Sequence, residues 1–182
     1  TKDFEFLLTA NQKSLQDAFM SGTDAVEKAF KSGSEAFKST FDKAVKDSKF
    51  YLDVRYRYEN VDQAGFANDA NASTIRTKLG IKTGKFYGFS GVLEFENTTE
   101  AWSGNYNNTV NGMTNYPVVA DPENTEVNQA YVAYTFQEKT TISAGRHSTN
   151  LGNLRFVGTV GWRQNDQNLD SVVFTSKALP KT

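Results

Sequence analysis

The sequence predicts an all-β antiparallel membrane β-barrel segment of about six strands, preceded by one long amphipathic α-helix with an 11-residue repeat. Three observations carry that expectation. From Phe50 onward, apolar and charged residues alternate in runs of strand length. The connections between those runs are alternately long and short. Residues 15 to 47 repeat every 11 positions. The expected division is a helix over 1–48 and an antiparallel outer-membrane barrel portion over 49–182.

The helix comes first. Residues 15 to 47 read as LQDAFMSGTDA, VEKAFKSGSEA and FKSTFDKAVKD, with Leu15, Val26 and Phe37 at the first position and Phe19, Phe30 and Phe41 at the fifth. Phe4 and Leu8 continue the phase backward, so the apolar stripe is expected to run from Phe4, with Asp3 as N-cap, to about Val45. A period of 11 is 3.67 residues per turn, so the stripe stays nearly parallel to the helix axis or winds right-handed. Gly22 and Gly33 each lower helix propensity by about 1 kcal/mol relative to Ala, so the stripe needs a cover. The candidates are other helices, the strands, or a lipid or polymer surface. The unit is weakly similar to the helices of phasin proteins, which coat polyester granules.

In Phe50 to Asn60, apolar Phe50, Leu52, Val54, Tyr56 and Tyr58 alternate with Tyr51, Asp53, Arg55, Arg57 and Glu59. Period-2 alternation makes a strand with one greasy and one charged face. After a polar loop over 61–72, a second strand is expected from Thr74 to Lys82, with Ile75, Leu79 and Ile81 on its apolar side and Arg76 and Lys78 on the other. Thr83 to Lys85 reads as a tight turn. Phe86 to Glu96 reads as a third strand, with Leu93 and Phe95 set against Glu94 and Glu96. The remaining strands are expected at 126–136, 140–146 and 169–176, joined by a long connection over 97–125, a short turn over 137–139 and a long connection over 147–168.

Long loops after strands one, three and five, with short turns after two and four, put all long loops at one end, as in outer-membrane barrels. Runs of about 9 to 11 residues match the length of a tilted membrane-crossing strand. On this reading Leu52, Val54, Tyr56, Ile75, Leu79, Ile81, Leu93 and Phe95 face lipid. Arg55, Arg57, Arg76, Lys78, Glu94 and Glu96 then face the lumen and its solutes. Regular pairing of the first hairpin would set Arg57 beside Arg76 and Arg55 beside Lys78, a basic band with Asp53 as the one acid at its depth and the glutamates nearer the rim. Six strands fall short of the roughly eight of the smallest membrane barrels. The segment is therefore expected to belong to a larger barrel or to be completed by other chains.

Composition excludes several alternatives. The 182 residues hold 38% hydrophobic and 23% charged residues with a formal net charge of -1, which rules out a disordered chain and gives no global attraction to nucleic acid. With no cysteine there is no disulfide or thiolate metal site. No run reaches the roughly 18 to 20 apolar residues of a membrane helix, and no basic segment followed by an apolar core marks a signal peptide. The chain is therefore read as cytosolic or already processed. A mean hydropathy of -0.56 leaves a barrel open, because only every second strand residue need be apolar.

Catalytic signals are sparse. His147 is the single histidine and reads as a rim residue. No nucleophile elbow or phosphate-binding glycine loop accompanies it. Asp69, Asp121, Glu123 and Glu126 lie in polar stretches without EF-hand spacing, so no metal and no cofactor is expected. Trp102 and Trp162 fall in long connections, where they pack the loops or stack on sugars.

Several stretches carry a family likeness: residues 51–59 (YLDVRYRYE), Glu126 to Tyr131 (EVNQAY), Gly145-Arg146, Arg155 to Gly158 (RFVG) and Gly161 to Gln164 (GWRQ). In this order, over about 130 residues, the chain resembles outer-membrane porins of the alginate-export family. The resemblance implies a many-stranded monomeric barrel with a basic lumen that passes anionic polysaccharide, in the outer membrane of a Gram-negative bacterium. The chain departs from that pattern in its six strands and in its helical repeat. The function expected is thus a porin-like channel, or its N-terminal part, for passive passage of small or anionic solutes, and not an enzyme. The partners expected are outer-membrane lipid and, through the N-terminal helix, further copies of the chain. Two alternatives stand beside it. One is an assembly protein whose repeat oligomerises while its strands complete a shared sheet, and the other is a coat on lipid or polymer.

Overall fold

The structure, a computed structural model, describes residues 2–102 and 104–178; the side chains of residues 2–16, 18 and 19, and with them Leu15 and Phe19, lie outside the description. The chain divides into two compact units, Thr1–Lys43 and Ala44–Thr182.

The first unit is helical. Helix α1 spans Lys2–Lys46 as one element, a rod of about 68 Å at 1.5 Å per residue. Continuity through Gly22 and Gly33 fits the absence of proline from the stretch, since glycine lowers helix propensity without breaking the hydrogen-bond ladder. Among the described stripe residues, Val26 and Phe30 are 71% and 81% exposed, and Phe37 and Phe41 are about half exposed. No helix among the described residues is long and apolar enough to cross a membrane.

The second unit is an antiparallel sheet in the order β1-β2-β3-β4-β5-β6. Its strands are β1 (Lys49–Val61), β2 (Ala70–Lys82), β3 (Phe89–Glu100), β4 (Asn124–Phe136), β5 (Thr140–His147) and β6 (Leu169–Ser176). Each strand pairs with the next in sequence, and β1 and β6 form the two edges, so the sheet is not closed. In such a meander every odd-to-even connection lies at one end. The connections over 62–69, 101–123 and 148–168 therefore share one end of the sheet, and the short turns over 83–88 and 137–139 share the other.

Three boundaries differ from the sequence reading. β2 begins at Ala70, because the small residues 70–73 pair with Tyr58 to Val61 although their composition reads as loop. β3 runs on to Glu100 for the same reason, paired with Thr74. It starts at Phe89 instead of Phe86, because Tyr87 and Gly88 have φ of 49° and 86° and turn the chain. The last three strands lie within two residues of expectation.

Burial in the sheet is inverted relative to a water-soluble protein. Leu52, Val54, Leu79 and Phe95, at 65%, 59%, 55% and 47% exposure, lie on the open face. Arg76, Glu94 and Glu96, at 8%, 4% and 1%, lie on the covered face. The long connections provide the cover. Tyr106 and Val119, both in the connection over 101–123, pack on Ala70 and Ala72 of β2 in a small apolar cluster with Val61 at its margin.

Candidate functional site

The covered face of the sheet gathers the charged and polar side chains. Alternation alone puts Asp53, Arg55, Arg57 and Glu59 of β1 on that side, with Arg76 and Lys78 of β2 and Glu94 and Glu96 of β3 across from them. Register decides which of them meet. Arg55 stands opposite Arg76, Asp53 opposite Lys78 and Arg57 opposite Thr74. Lys78 stands opposite Glu96, and Gly80 opposite Glu94. The expected pairs Arg57 with Arg76 and Arg55 with Lys78 are therefore corrected by a shift of two residues along β2. Extension of the hairpin into Ala70 moves its centre and causes the shift. The glutamates are also not confined to the rim, because Glu96 lies at the depth of Lys78.

The consequence is charge pairing instead of a basic band. Arg76 Nη2 lies 2.6 Å from Asp53 Oδ1, and its Nη1 lies 3.8 Å from Asp166. Lys78 Nζ bridges Glu96 Oε2, at 3.1 Å, and Asp166. Arg57 and Arg163 share Glu59, at 2.6 and 3.2 Å, and both approach the fully buried Asp121, at 3.9 and 3.6 Å. Close pairing of this kind is what allows ionised groups to sit away from water at all.

Glu94 has a different setting. It accepts from the Tyr51 hydroxyl at 2.5 Å, from Asn128 Nδ2 at 2.6 Å and from Gln129 Nε2 at 3.0 Å. Two neighbouring β4 residues reach one carboxylate because the register shifts between Glu94 and Phe95, a β-bulge that leaves Asn128 as the extra residue. Gly80 makes room for Tyr51, since a Cβ there would fall 2.3 Å from the ring.

The connection over 148–168 is tied down by Gln164. This side chain is fully buried and donates through Nε2 to Thr74 Oγ1 at 2.9 Å and to Thr74 O at 3.1 Å. Its Oε1 accepts from Arg55 Nε at 2.9 Å, and its backbone N–H donates to Asp121 Oδ1 at 2.9 Å. Arg55 also donates to the carbonyls of Gly161 and Arg163. The Trp162 ring, 58% exposed, has the Arg163 guanidinium 3.9 Å and the Arg57 guanidinium 5.0 Å from its centroid. Asn165 Nδ2 donates to the Pro122 carbonyl at 2.9 Å, so the two long connections also hold one another.

The other residues singled out from sequence take ordinary places. His147 ends β5, buried and stacked on Tyr131 at 4.4 Å, with Ser171 Oγ 3.1 Å from Nδ1 and Ser143 Oγ 3.0 Å from Nε2. Trp102 meets Tyr56 edge to face at 5.7 Å. Glu123 accepts from the Glu100 N–H and the Thr99 hydroxyl, which hold its carboxyl below the usual range. Burial pushes the Tyr106 phenol up to about 12, with Glu100, Glu123 and Asp121 adding to the shift. No group of three or more metal-ligating side chains occurs among the described residues.

Ile75, Leu79, Ile81, Leu93 and Phe95 share the open face with Leu52, Val54 and Tyr56, since Ile81 pairs with both Phe50 and Leu93, and Leu79 with both Leu52 and Phe95. Asn128, Gln129, Arg163 and Asp166 were not singled out by chemistry from the sequence. The signal available for the last two was the run Arg163 to Asp166, all polar and large, in a connection where small turn residues would have sufficed. Comparison with known proteins returns no matching family model, no matching curated protein and no matching solved structure.

Proposed function

We propose that residues 49–178 form part of the wall of an outer-membrane β-barrel channel, with the open face against lipid and the charged face and its two long connections lining the lumen. The observation that carries this reading is the inverted burial: aliphatic residues are exposed and carboxylates are buried in one sheet. A sheet immersed in water on both sides gains nothing from that arrangement, whereas lipid on the open face removes the apolar area from water at roughly 25 cal/mol per Å².

The distribution along the strands agrees with it. Phe50, Phe89, Tyr134, Phe136 and Phe174 sit toward the short-turn end, and Tyr56, Tyr58 and Trp102 toward the long-connection end. Leu52, Val54, Leu79, Leu93, Val132 and Val172 lie between them, with Phe95 the exception. Two aromatic girdles around an aliphatic band are the pattern of outer-membrane barrels. Phe50 to Tyr58 covers about 26 Å along the strand, or about 20 Å after a tilt near 40°. Both edges then pair with further strands, from the same polypeptide or from another chain.

The solutes proposed are small and polar, and passage is passive. The anionic polysaccharide implied by the family resemblance calls for uncompensated basic charge, while Arg57, Arg76 and Lys78 each have a carboxylate partner. Fixed charges answered at 2.6–3.1 Å leave a small net field, so charge preference among solutes is weak. Spin labels at Leu52→Cys and Phe95→Cys in liposome-reconstituted protein test the orientation. Labels relaxed by oxygen and shielded from a water-soluble nickel chelate are expected, and labels open to the chelate overturn the reading.

A further inference from the structure

We infer that helix α1 pairs with the same helix of a second copy of this chain, antiparallel, with Val26 of each copy against Phe30 of the other. Independently of the channel reading, the argument starts from two mirror relations in one segment. With Val26 facing Phe30, the period of 11 also sets Phe19 against Phe37 and Leu15 against Phe41, because each pair sums to 56. The charges follow nearly the same mirror. Asp17, Asp24 and Glu27 fall level with Lys38, Lys31 and Lys28 of the other copy, each pair summing to 55. All six charged residues are on the exposed helix surface.

Orientation follows from the charge order. From Asp17 to Glu27 the helix carries three acids and no base, and from Lys28 to Lys38 three lysines and one acid. Two parallel copies in register would set the flank of Glu27 and Lys31 against the opposite flank, where Ala25, Ala29 and Ala36 offer no charge to pair with. An antiparallel pair sets each acidic stretch level with a basic one, although Asp17 and Lys28 lie on the side of the helix away from the stripe. At 11 residues in three turns, Glu27 and Lys31 lie on the same flank of the stripe. The two-fold axis of an antiparallel pair brings that flank against its own image, so Glu27 of each copy meets Lys31 of the other.

Space is available where the backbones must approach. Gly22 and Gly33 lie beside the stripe, and a Cβ at either would meet nothing within 4 Å in the single chain. In the pair that flank also meets its own image, so Gly22 of each copy comes level with Gly33 of the other, which permits close packing of the axes. Val26 and Phe30, the most exposed described stripe residues, lie at the centre of the contact.

Because the chain has no cysteine, disulfide trapping reads the register directly. The full-length protein is oxidised in detergent as Leu15→Cys, as Phe41→Cys, and as a mixture of the two. The expected result is a linked dimer from the mixture and none from either variant alone, since Phe41 lies about 39 Å from its own image and a disulfide needs Cα atoms within about 7 Å. A dimer from Phe41→Cys alone means parallel pairing and overturns the inference. So does sedimentation as a monomer with no cross-link in the mixture, the result expected if the stripe only lies on lipid. Glu27→Lys should weaken the dimer about fivefold, and adding Lys31→Glu should restore it. An unchanged dimer in Glu27→Lys removes the charge argument and the orientation with it.

Discussion

The two faces of the six-stranded sheet come from the same strands and obey opposite rules. On the open face most side chains are apolar, exposed and bound to little beyond their neighbours, with the Arg146–Asp170 pair the charged exception. On the covered face they are charged, buried and held by named partners. In water the stable face would be the covered one alone, and the open face would drive aggregation. The difference teaches that burial within the chain does not mark this protein's interior. Its polar network binds the connections over 101–123 and 148–168 to the strands, while its apolar surface has no such cover among the described residues of the second unit. Each prediction below perturbs one face and asks whether the other responds.

The largest effect is expected on the covered face. Lys78→Met keeps the stem of the side chain but leaves Glu96, 1% exposed, without its cation. Removing one partner of a buried ion pair costs about 3–5 kcal/mol. Denaturant unfolding in detergent should record a loss of that order, and Lys78→Met combined with Glu96→Gln should recover part of it. An equal loss in the double variant would mean that Lys78 acts through Asp166 instead.

The open face gives the next largest effect, and it depends on the surroundings. Leu79→Arg places a cation mid-strand among Leu52 and Phe95. In a bilayer such a change costs about 2–4 kcal/mol near the midplane. On a wet surface it costs within about 0.5 kcal/mol. Folding stability of the reconstituted protein distinguishes the two, and a near-zero value would assign the open face to water or to a polar partner.

How much of this was legible in the sequence differs between the faces. Alternation put the apolar residues singled out on β1 to β3 on one side and the charged ones on the other, because a period of two leaves no freedom once the strand is recognised. The single helix and the strand order followed from equally local signals. Pairing was not local. Residues 70–73 look like loop, so the register of β1 against β2 was placed two residues away, and with it went the prediction of an uncompensated basic band. Asp166, Gln164 and Arg163 reach the face from a connection about a hundred residues downstream of β1, a distance over which no periodicity speaks. The bulge that turns Asn128 and Gln129 onto Glu94 depends on the partner strand and has no signature in β4 itself.

A smaller effect separates the covering connections from the sheet beneath them. Gln164→Ala removes the contacts to Thr74 and Arg55 while leaving the strand ladder intact. Each lost hydrogen bond is worth about 1 kcal/mol, and the buried groups left behind raise the total to about 1–3 kcal/mol. Limited proteolysis should then cut within 148–168 many times faster, with little change in global unfolding. If the whole sheet unfolds with the connection, the cover and the strands form one cooperative unit, and the contrast between the faces holds for composition but not for stability.

The smallest effect appears only in alkali, and it tests whether the cover is dry. Tyr106 lies 1% exposed against Ala70, Ala72 and Val119, and its hydroxyl has no hydrogen-bond partner among the described residues. Burial, with Glu100, Glu123 and Asp121 nearby, pushes its phenol up to about 12 from its ordinary 10.0. The folded state thus favours the neutral form. Its contribution is fully present below about pH 10, where the unfolded phenol is also neutral, and is lost as pH rises from there through about 12. Tyr106→Phe cannot ionise and discards an unsatisfied hydroxyl, so near neutral pH it should match or slightly exceed the parent. Above pH 10 the parent should lose stability that the variant keeps, and the gap should widen up to about pH 12. Parallel curves for the two proteins across that range would mean that water reaches the phenol in the folded state. The connection over 101–123 would then be a loose flap over the charged face, and only Gln164 and its partners would hold the cover in place.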